Sequence, residues 1–226
     1  MQTLHGRPRS PPTDGAKTPV HPLVCIDYSH QDLDILCLTS YPGGAEAIKE
    51  RLCQENNHFY TVRARNRHNH WAVLWWRTCS DEPGFERFKI DILTPGVLEF
   101  PHIPPNYVTQ IRKFPCAPLH LLLLHKLKGW DDRRFSHLPH VRAKIDGDVQ
   151  DIEALLVVAS ERKPTPNIAR GKPYITDSFR AASYIRVSKF VRKHPNFAHF
   201  FACLGLPNPA DKLHGGGDYL SRLSRV

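Results

Sequence analysis

A chain of 226 residues is long enough for one substantial hydrophobic core, and 41% hydrophobic with 23% charged residues excludes wholesale disorder. The formal charge of +9 favours anionic partners such as nucleotides or nucleic acid, although a solvated basic face would account for it equally well. The longest apolar run, the four leucines at 121–124, is too short to cross a bilayer, so we expect no membrane partner.

The six cysteines form no CxxC pair, and several lie in apolar runs, as free thiols do in a reducing compartment. The N-terminal residues contain no apolar segment of the kind that a secretory signal requires. We therefore expect an intracellular protein, in the cytoplasm or the nucleus.

The composition changes along the chain and divides it into three parts. Residues 1–20, rich in Pro, Arg, Gly, Ser and Thr, predict a flexible leader. Residues 21–104 predict a sheet with one helix, with strands at 33–38, 58–65, 70–77 and 85–93, a hairpin loop at 66–69 and a helix at 45–56. This order indicates a mixed sheet with at least one helix against it.

Residues 105–226 predict a helical region packed on that core. The apolar spacing favours helices at 117–130, 148–160, 177–194 and 196–206. We expect the first to end at Gly129, and the third to begin with Asp177 as an acidic cap. The predicted fold class is α+β, with a mixed-sheet core followed by a helical C-terminal part.

Two aspartates stand at the start of the first strand. Asp32 and Asp34 occupy positions i and i+2, which point to the same face of a strand. Two carboxylates so placed repel each other and favour a cation beside them, and Mg²⁺ suits such hard oxygen ligands.

A third aspartate, Asp91, lies within the apolar strand "KIDIL". A carboxylate in such a place costs free energy unless it is paired, hydrogen-bonded or bound to a metal. Pairing of Asp91 with Lys89 or Arg87, and a turn in which Asp32 accepts backbone hydrogen bonds, are the purely structural alternatives.

The segments "DLDIL" and "KIDIL" together resemble the polymerase-β-like nucleotidyltransferase superfamily, in which a strand with two aspartates precedes a third carboxylate on a later strand. The downstream segment "LLLLHKLKGWDDRR…KIDGDVQDIEALL" is similar to the helical part of bacterial and fungal nucleotidyltransferase-like proteins. The corresponding positions are Lys126, Arg133 or Arg134, Lys144, Asp148 and Asp151.

This resemblance implies a mixed-sheet core in which Asp32, Asp34 and Asp91 hold two Mg²⁺ ions, with a nucleoside triphosphate as substrate. Asp91 would be a metal ligand or the base that receives the acceptor's proton. Nucleotide-binding roles fall to four basic residues of the helical part, Lys126, Arg133, Arg134 and Lys144. A nucleic acid or a protein would be the acceptor.

The chain departs from that family at the glycine-containing turn that should precede the first aspartate and hold the phosphates. Gly15 lies 17 residues before Asp32 (32 − 15), and no apolar strand leads into it. We expect this motif to be degenerate or truncated. Two functions are therefore weighed, an active Mg²⁺-dependent nucleotidyltransferase and an inactive relative that binds nucleotide or nucleic acid.

Several residues allow a second interpretation. The aromatic residues Phe59, Tyr60, Trp71, Trp75 and Trp76 would stack on a base, but strands of this apolarity favour core positions for them. Lys126 would reach a phosphate or extend to solvent. Arg133 and Arg134 would grip an anion, or pair with the adjacent Asp131 and Asp132.

Overall fold

The computed structural model describes residues 22–26, 32–38, 40–64, 71–77, 87–161 and 172–206. The predicted leader at 1–20, the hairpin loop at 66–69 and the residues beyond 206 lie outside these ranges.

A five-stranded mixed sheet forms the N-terminal half. Its strands are β1 (Pro22–Ile26), β2 (Asp32–Cys37), β3 (Phe59–Arg63), β4 (Ala72–Arg77) and β5 (Arg87–Leu93), in the order β1-β2-β5-β4-β3. The β2–β5 pair is parallel and the other pairs are antiparallel. The mixed sheet is therefore confirmed, with β1 as a strand that the sequence did not predict.

The predicted helix after β2 is confirmed as α1 (Gly44–Glu55). It follows a turn in which Gly43 and Gly44 have φ values of 79° and 66°, which only glycine adopts readily. A Cβ on Gly43 would lie 2.7 Å from that of Ala47, so the close approach also requires glycine. The apolar side of α1 packs on one face of the sheet, where Leu74, Ile90 and Ile92 are buried.

The second half is helical, but it begins with a small hairpin that the sequence did not predict. Strands β6 (Thr109–Ile111) and β7 (Phe114–Cys116) are joined by Arg112 and Lys113, both with positive φ. Such turns usually carry Asn or Gly, and their absence removes the usual sequence signal.

Four of the helices that follow correspond to the predicted ones with shifted ends, and the short α3 (Pro139–Arg142) was not predicted. The four are α2 (Leu119–Arg134), α4 (Ile145–Glu161), α5 (Asp177–Lys193) and α6 (Ala198–Cys203), with short 3₁₀ turns at Val97–Glu99, Pro105–Tyr107 and Pro195–Phe197. The cap of α5 is Thr176 rather than Asp177, because the Thr176 hydroxyl accepts the Phe179 N–H at 3.2 Å.

The predicted end of α2 at Gly129 is wrong, since the helix continues to Arg134. A glycine inside a helix costs about 1 kcal/mol relative to alanine. The next residue, Trp130, is fully buried and packs edge-on against Phe190 at 4.9 Å between ring centroids. Burial of that indole, about 2–3 kcal/mol for a large side chain, outweighs the glycine penalty.

The larger core lies between the helices and the other face of the sheet. Leu36 of β2 and Leu38, which follows the strand, pack with fully buried residues of the helical half, among them Leu121, Leu124, Leu127, Ile152, Val187 and Phe201. Within the described ranges, no helix is both long and apolar enough to cross a membrane.

Two histidines of α2 are partly buried in this region. The His125 ring stacks on Phe100 at 3.7 Å and on Phe179 at 4.9 Å, and burial is the main cause that lowers the pKa of His125 to about 3. His120 Nε2 lies 2.6 Å from the Tyr174 hydroxyl, and burial lowers the pKa of His120 to about 4. Both rings are therefore neutral at physiological pH.

Candidate active site

The aspartates of β2 point away from α1. Leu33, Ile35 and Cys37 pack in the cluster beneath α1, whereas Leu36 belongs to the core under the helical half. Because side chains alternate along a strand, Asp32 and Asp34 share the face of Leu36. The carboxylates thus project from the face on which the C-terminal helices pack.

Asp91 lies beside Asp34. The two residues are register partners in the parallel β2–β5 pair, so their backbones are about 4.8 Å apart and their side chains share a face. Burial, and next the negative charge of Asp91, raise the pKa of Asp34 above its usual value of 3.8. We call Asp32, Asp34 and Asp91 the carboxylate site.

Lys89 lies within this group of carboxylates. It is the register partner of Asp32, and its ammonium donates a hydrogen bond to Asp91 Oδ2 and lies 3.6 Å from Asp32 Oδ2. Burial alone would lower the pKa of Lys89, but the bond to Asp91 and the nearby carboxylate charges raise it overall. The interpretation of Asp91 as paired with Lys89 is therefore correct, and the proximity of Lys89 to Asp32 is new.

Lys126 connects the sheet to the helices. Its ammonium donates to Asp151 Oδ2 of α4 at 2.6 Å, and its charge is also close enough to lower the pKa of Asp34 against the stronger effect of burial. Lys126 is one-third exposed, so its ammonium has access to solvent. Of the four predicted nucleotide-binding residues, Lys126 is the one with an electrostatic effect on the carboxylate site among the described residues.

Arg133 and Arg134 make structural contacts elsewhere. Arg133 pairs with Asp148 of α4, and not with Asp131 or Asp132. Arg134 lies 3.3 Å from Asp131, as the paired interpretation expected, and its guanidinium stacks 4.5 Å over the Trp130 ring. Asp131 also accepts from the Lys189 ammonium at 2.7 Å.

Lys144 is exposed at the turn before α4, where its backbone carbonyl accepts the Asp148 N–H at 3.1 Å. In the described part of the chain, no ion pair joins Lys144, Arg133 or Arg134 to the carboxylate site.

The carboxylate site suits a metal ion whose remaining ligands come from a bound substrate. Over the residues that the structure describes, no three or more His, Cys, Asp or Glu side chains are arranged to hold a metal. Mg²⁺, however, is usually bound by one or two protein carboxylates together with substrate phosphates. The neighbouring Asp34 and Asp91 fit that smaller requirement, while Lys89 competes for Asp91 and Asp32.

The aromatic residues divide between the two faces of the sheet, so the core positions that the strands favoured apply to some of them and not to others. Trp76 and Phe59 pack under α1, with 4.7 Å between their ring centroids. Trp75 is the register partner of Lys89, and Tyr60 is the partner of Trp75, so both lie on the face of the carboxylate site. Along their strands, Tyr60 and Trp75 alternate with residues that face α1, such as Phe59 and Trp76. This period of two is the sequence signal that separates the two faces.

Neither a protein-family model nor a curated protein sequence matches this chain. The fold is similar to the crystal structure of an antigenic nucleotidyltransferase-like protein from Paracoccidioides brasiliensis, with a TM-score of 0.53 and 12% sequence identity. The likeness covers 76% of this chain and 75% of the other. An identity this low bears on the fold alone, and the chain has a nucleotidyltransferase-like α+β fold.

Proposed function

We propose that this protein is a Mg²⁺-dependent nucleotidyltransferase that moves a nucleoside monophosphate from a nucleoside triphosphate to an acceptor hydroxyl. The observation that carries the proposal is the position of Asp34 directly beside Asp91, on neighbouring parallel strands of a nucleotidyltransferase-like fold. Adjacent carboxylates with a raised pKa on one of them are characteristic of functional sites.

Each member of the carboxylate site has a role in this proposal. Asp34 would hold the metal that accompanies the triphosphate, with Asp91 or Asp32 as the second carboxylate, and the ion would supply charge neutralisation of the phosphates during transfer. Asp91, whose side chain is 42% exposed, is accessible to the acceptor and receives the proton of its hydroxyl or completes the metal ligands. Lys126 binds a phosphate oxygen after leaving Asp151, which its exposure permits.

A second candidate function is nucleotide binding without transfer, in an inactive relative. Two observations favour it. Lys89 already compensates the charge of Asp91 and lies near Asp32, and the sequence has no glycine between Gly15 and Gly43 for a phosphate-binding turn before the aspartates.

Isothermal titration with the four nucleoside triphosphates, with and without Mg²⁺, tests both functions. The variants are Asp34→Asn and the matched control Asp132→Asn, which removes an exposed carboxylate from α2. Mg²⁺-dependent binding that is lost in Asp34→Asn and kept in Asp132→Asn supports the site. Binding that needs no metal and survives Asp34→Asn contradicts it, and so does the absence of binding.

Pyrophosphate release then separates the two functions. Wild-type protein that binds Mg²⁺–nucleotide and releases pyrophosphate when an acceptor is supplied is a transferase. Binding without release over a range of acceptors, including single-stranded oligonucleotides, favours the inactive binding module.

A further inference from the structure

The face that carries the carboxylate site continues across β5, β4 and β3 as a row of aromatic and basic side chains. Trp75 lies between its register partners, Lys89 of β5 and Tyr60 of β3. Two residues further along the strands, Arg77 is the register partner of Arg87. Register partners point to the same face, as do residues two apart in a strand. We call Tyr60, Trp75, Arg77 and Arg87 the aromatic–basic strip.

This strip lies outside both hydrophobic cores. Neither core cluster includes Tyr60 or Trp75, although their neighbours Phe59 and Trp76 pack under α1. Both rings are partly exposed, and Arg77 and Arg87 are exposed. Val62, on the same face of β3, is 47% exposed. Within the described ranges, this half of the face is therefore open to solvent, unlike the half where Leu36 is covered by helices.

Among the described residues, no carboxylate forms an ion pair with the arginines of the strip. Arg77 lies 5.1 Å over the Tyr60 ring. Like charges directly opposite each other on neighbouring strands disfavour the pairing. A bound anion beside the two guanidinium groups removes this repulsion and accepts their hydrogen bonds.

The spacing identifies the kind of anion. Arg87 precedes Asp91 by four residues of the same strand, about 13 Å at the strand rise. One phosphate group cannot bridge that distance, whereas a chain of nucleotides presents a phosphate at each step. Trp75 and Tyr60 lie between the two ends, where unpaired bases would stack on their rings. Stacking of this kind requires a single strand, since the bases of a duplex stack on one another.

We propose that the aromatic–basic strip binds single-stranded nucleic acid and directs its end to the carboxylate site. The proposal that the strip binds nucleic acid is argued from the residues of the strip alone. The role of that strand as the acceptor of nucleotidyl transfer rests on the proposed function.

Fluorescence anisotropy of a labelled short oligouridylate, with the full chain, EDTA and no nucleotide, tests the binding. The variants are Trp75→Leu and the double change Arg77→Gln with Arg87→Gln. Matched controls are Phe135→Leu, an exposed aromatic residue of the helical half, and Arg51→Gln, an exposed arginine of α1 on the other side of the sheet. Circular dichroism establishes that each variant is folded.

We expect Trp75→Leu to weaken binding about tenfold, the effect of losing one stacked base. The double arginine change reduces the slope of log affinity against log salt concentration by about 1.4, the value for two lost phosphate contacts on a single strand. Both controls bind like wild type. A duplex of the same length binds more weakly than the single strand.

Three results would overturn the proposal: no binding, equal affinity for the duplex, or folded strip variants that bind as tightly as the controls. Strip-dependent binding without any nucleotidyl transfer refutes the proposed function and leaves the strip as a nucleic-acid site. Transfer to other acceptors, with no binding of the oligonucleotide, refutes the strip and leaves the function.

Discussion

Lys89→Met removes the ammonium that contacts Asp91 and lies 3.6 Å from Asp32, and it keeps an unbranched side chain. With 27% of the Lys89 side chain and 42% of the Asp91 side chain exposed, solvent screens the pair. Two such partly exposed interactions together contribute about 1 kcal/mol. We therefore expect the melting temperature to fall by about 2–4 °C for a chain of this length.

The same change should strengthen the binding of divalent ions to the carboxylate site. A unit charge ~6 Å from a divalent ion costs about 1.4 kcal/mol even in the dielectric of bulk water, a factor of about ten in affinity. In Lys89→Met this repulsion is absent and Asp91 is free to bind. Added Mg²⁺ should then restore the lost stability, because it binds the folded state alone.

Titration calorimetry with Mn²⁺, and thermal unfolding with and without millimolar Mg²⁺, measure the two effects. The control is Lys128→Met, which removes a lysine bonded to Asp132 at 2.5 Å on α2. It should alter stability slightly and divalent affinity not at all. A Lys89→Met protein that binds Mn²⁺ no more tightly than wild type refutes the competition between Lys89 and a metal.

Two further predictions concern the helical half. Arg133→Gln leaves the Asp148 carboxylate, 6% exposed, without its hydrogen-bonded partner, and should lower the free energy of unfolding in urea by about 3 kcal/mol. Arg134→Gln should lower the free energy of unfolding by less, because Asp131 keeps Lys189 as a partner. Equal losses in the two variants would contradict a structural role for Arg133. Burial lowers the pKa of His120 to about 4 and of His125 to about 3, whereas in the unfolded chain both have the ordinary pKa of 6.5. As the pH falls below 6.5, the unfolded chain therefore binds protons before the folded protein does. Stability is thus complete above pH 6.5 and is lost toward pH 4 and then 3, by about 1.4 kcal/mol per pH unit for each histidine. Unfolding followed as a function of pH should show a shallower loss in His125→Phe, and an unchanged slope would argue against a neutral buried ring.

Strands β2 to β5 and the long helices could be predicted because their apolar periods are local. "DLDIL" and "KIDIL" each alternate aspartates on one face with the apolar pairs Leu33 and Ile35 or Ile90 and Ile92 on the other, and β2 and β5 both have that alternation. Which aspartate stands beside which could not be predicted, since the register of a parallel pair depends on all the chain between the strands. The structure pairs Asp34, rather than Asp32, with Asp91.

The features that could not be predicted from the sequence either have no local sequence signal or form in spite of one. The β6–β7 turn uses Arg112 and Lys113 where glycine is usual, and burial of Trp130 carries α2 past Gly129. Arg133 has neighbouring aspartates in sequence, yet it pairs with Asp148 of another helix. In all three cases the structure depends on tertiary packing, which cannot be inferred from composition and residue spacing.

The parallel pairing of β2 with β5 has a consequence for the order in which the molecule is made. Asp91 follows Asp34 by 57 residues (91 − 34), and α1, β3 and β4 lie between them. During synthesis the first two aspartates leave the ribosome long before their partner strand exists, and loop closure makes their meeting a late event. A nascent or truncated chain that ends before β5 therefore has no complete carboxylate site. Any activity of this site belongs only to a chain that has folded as far as its fifth strand.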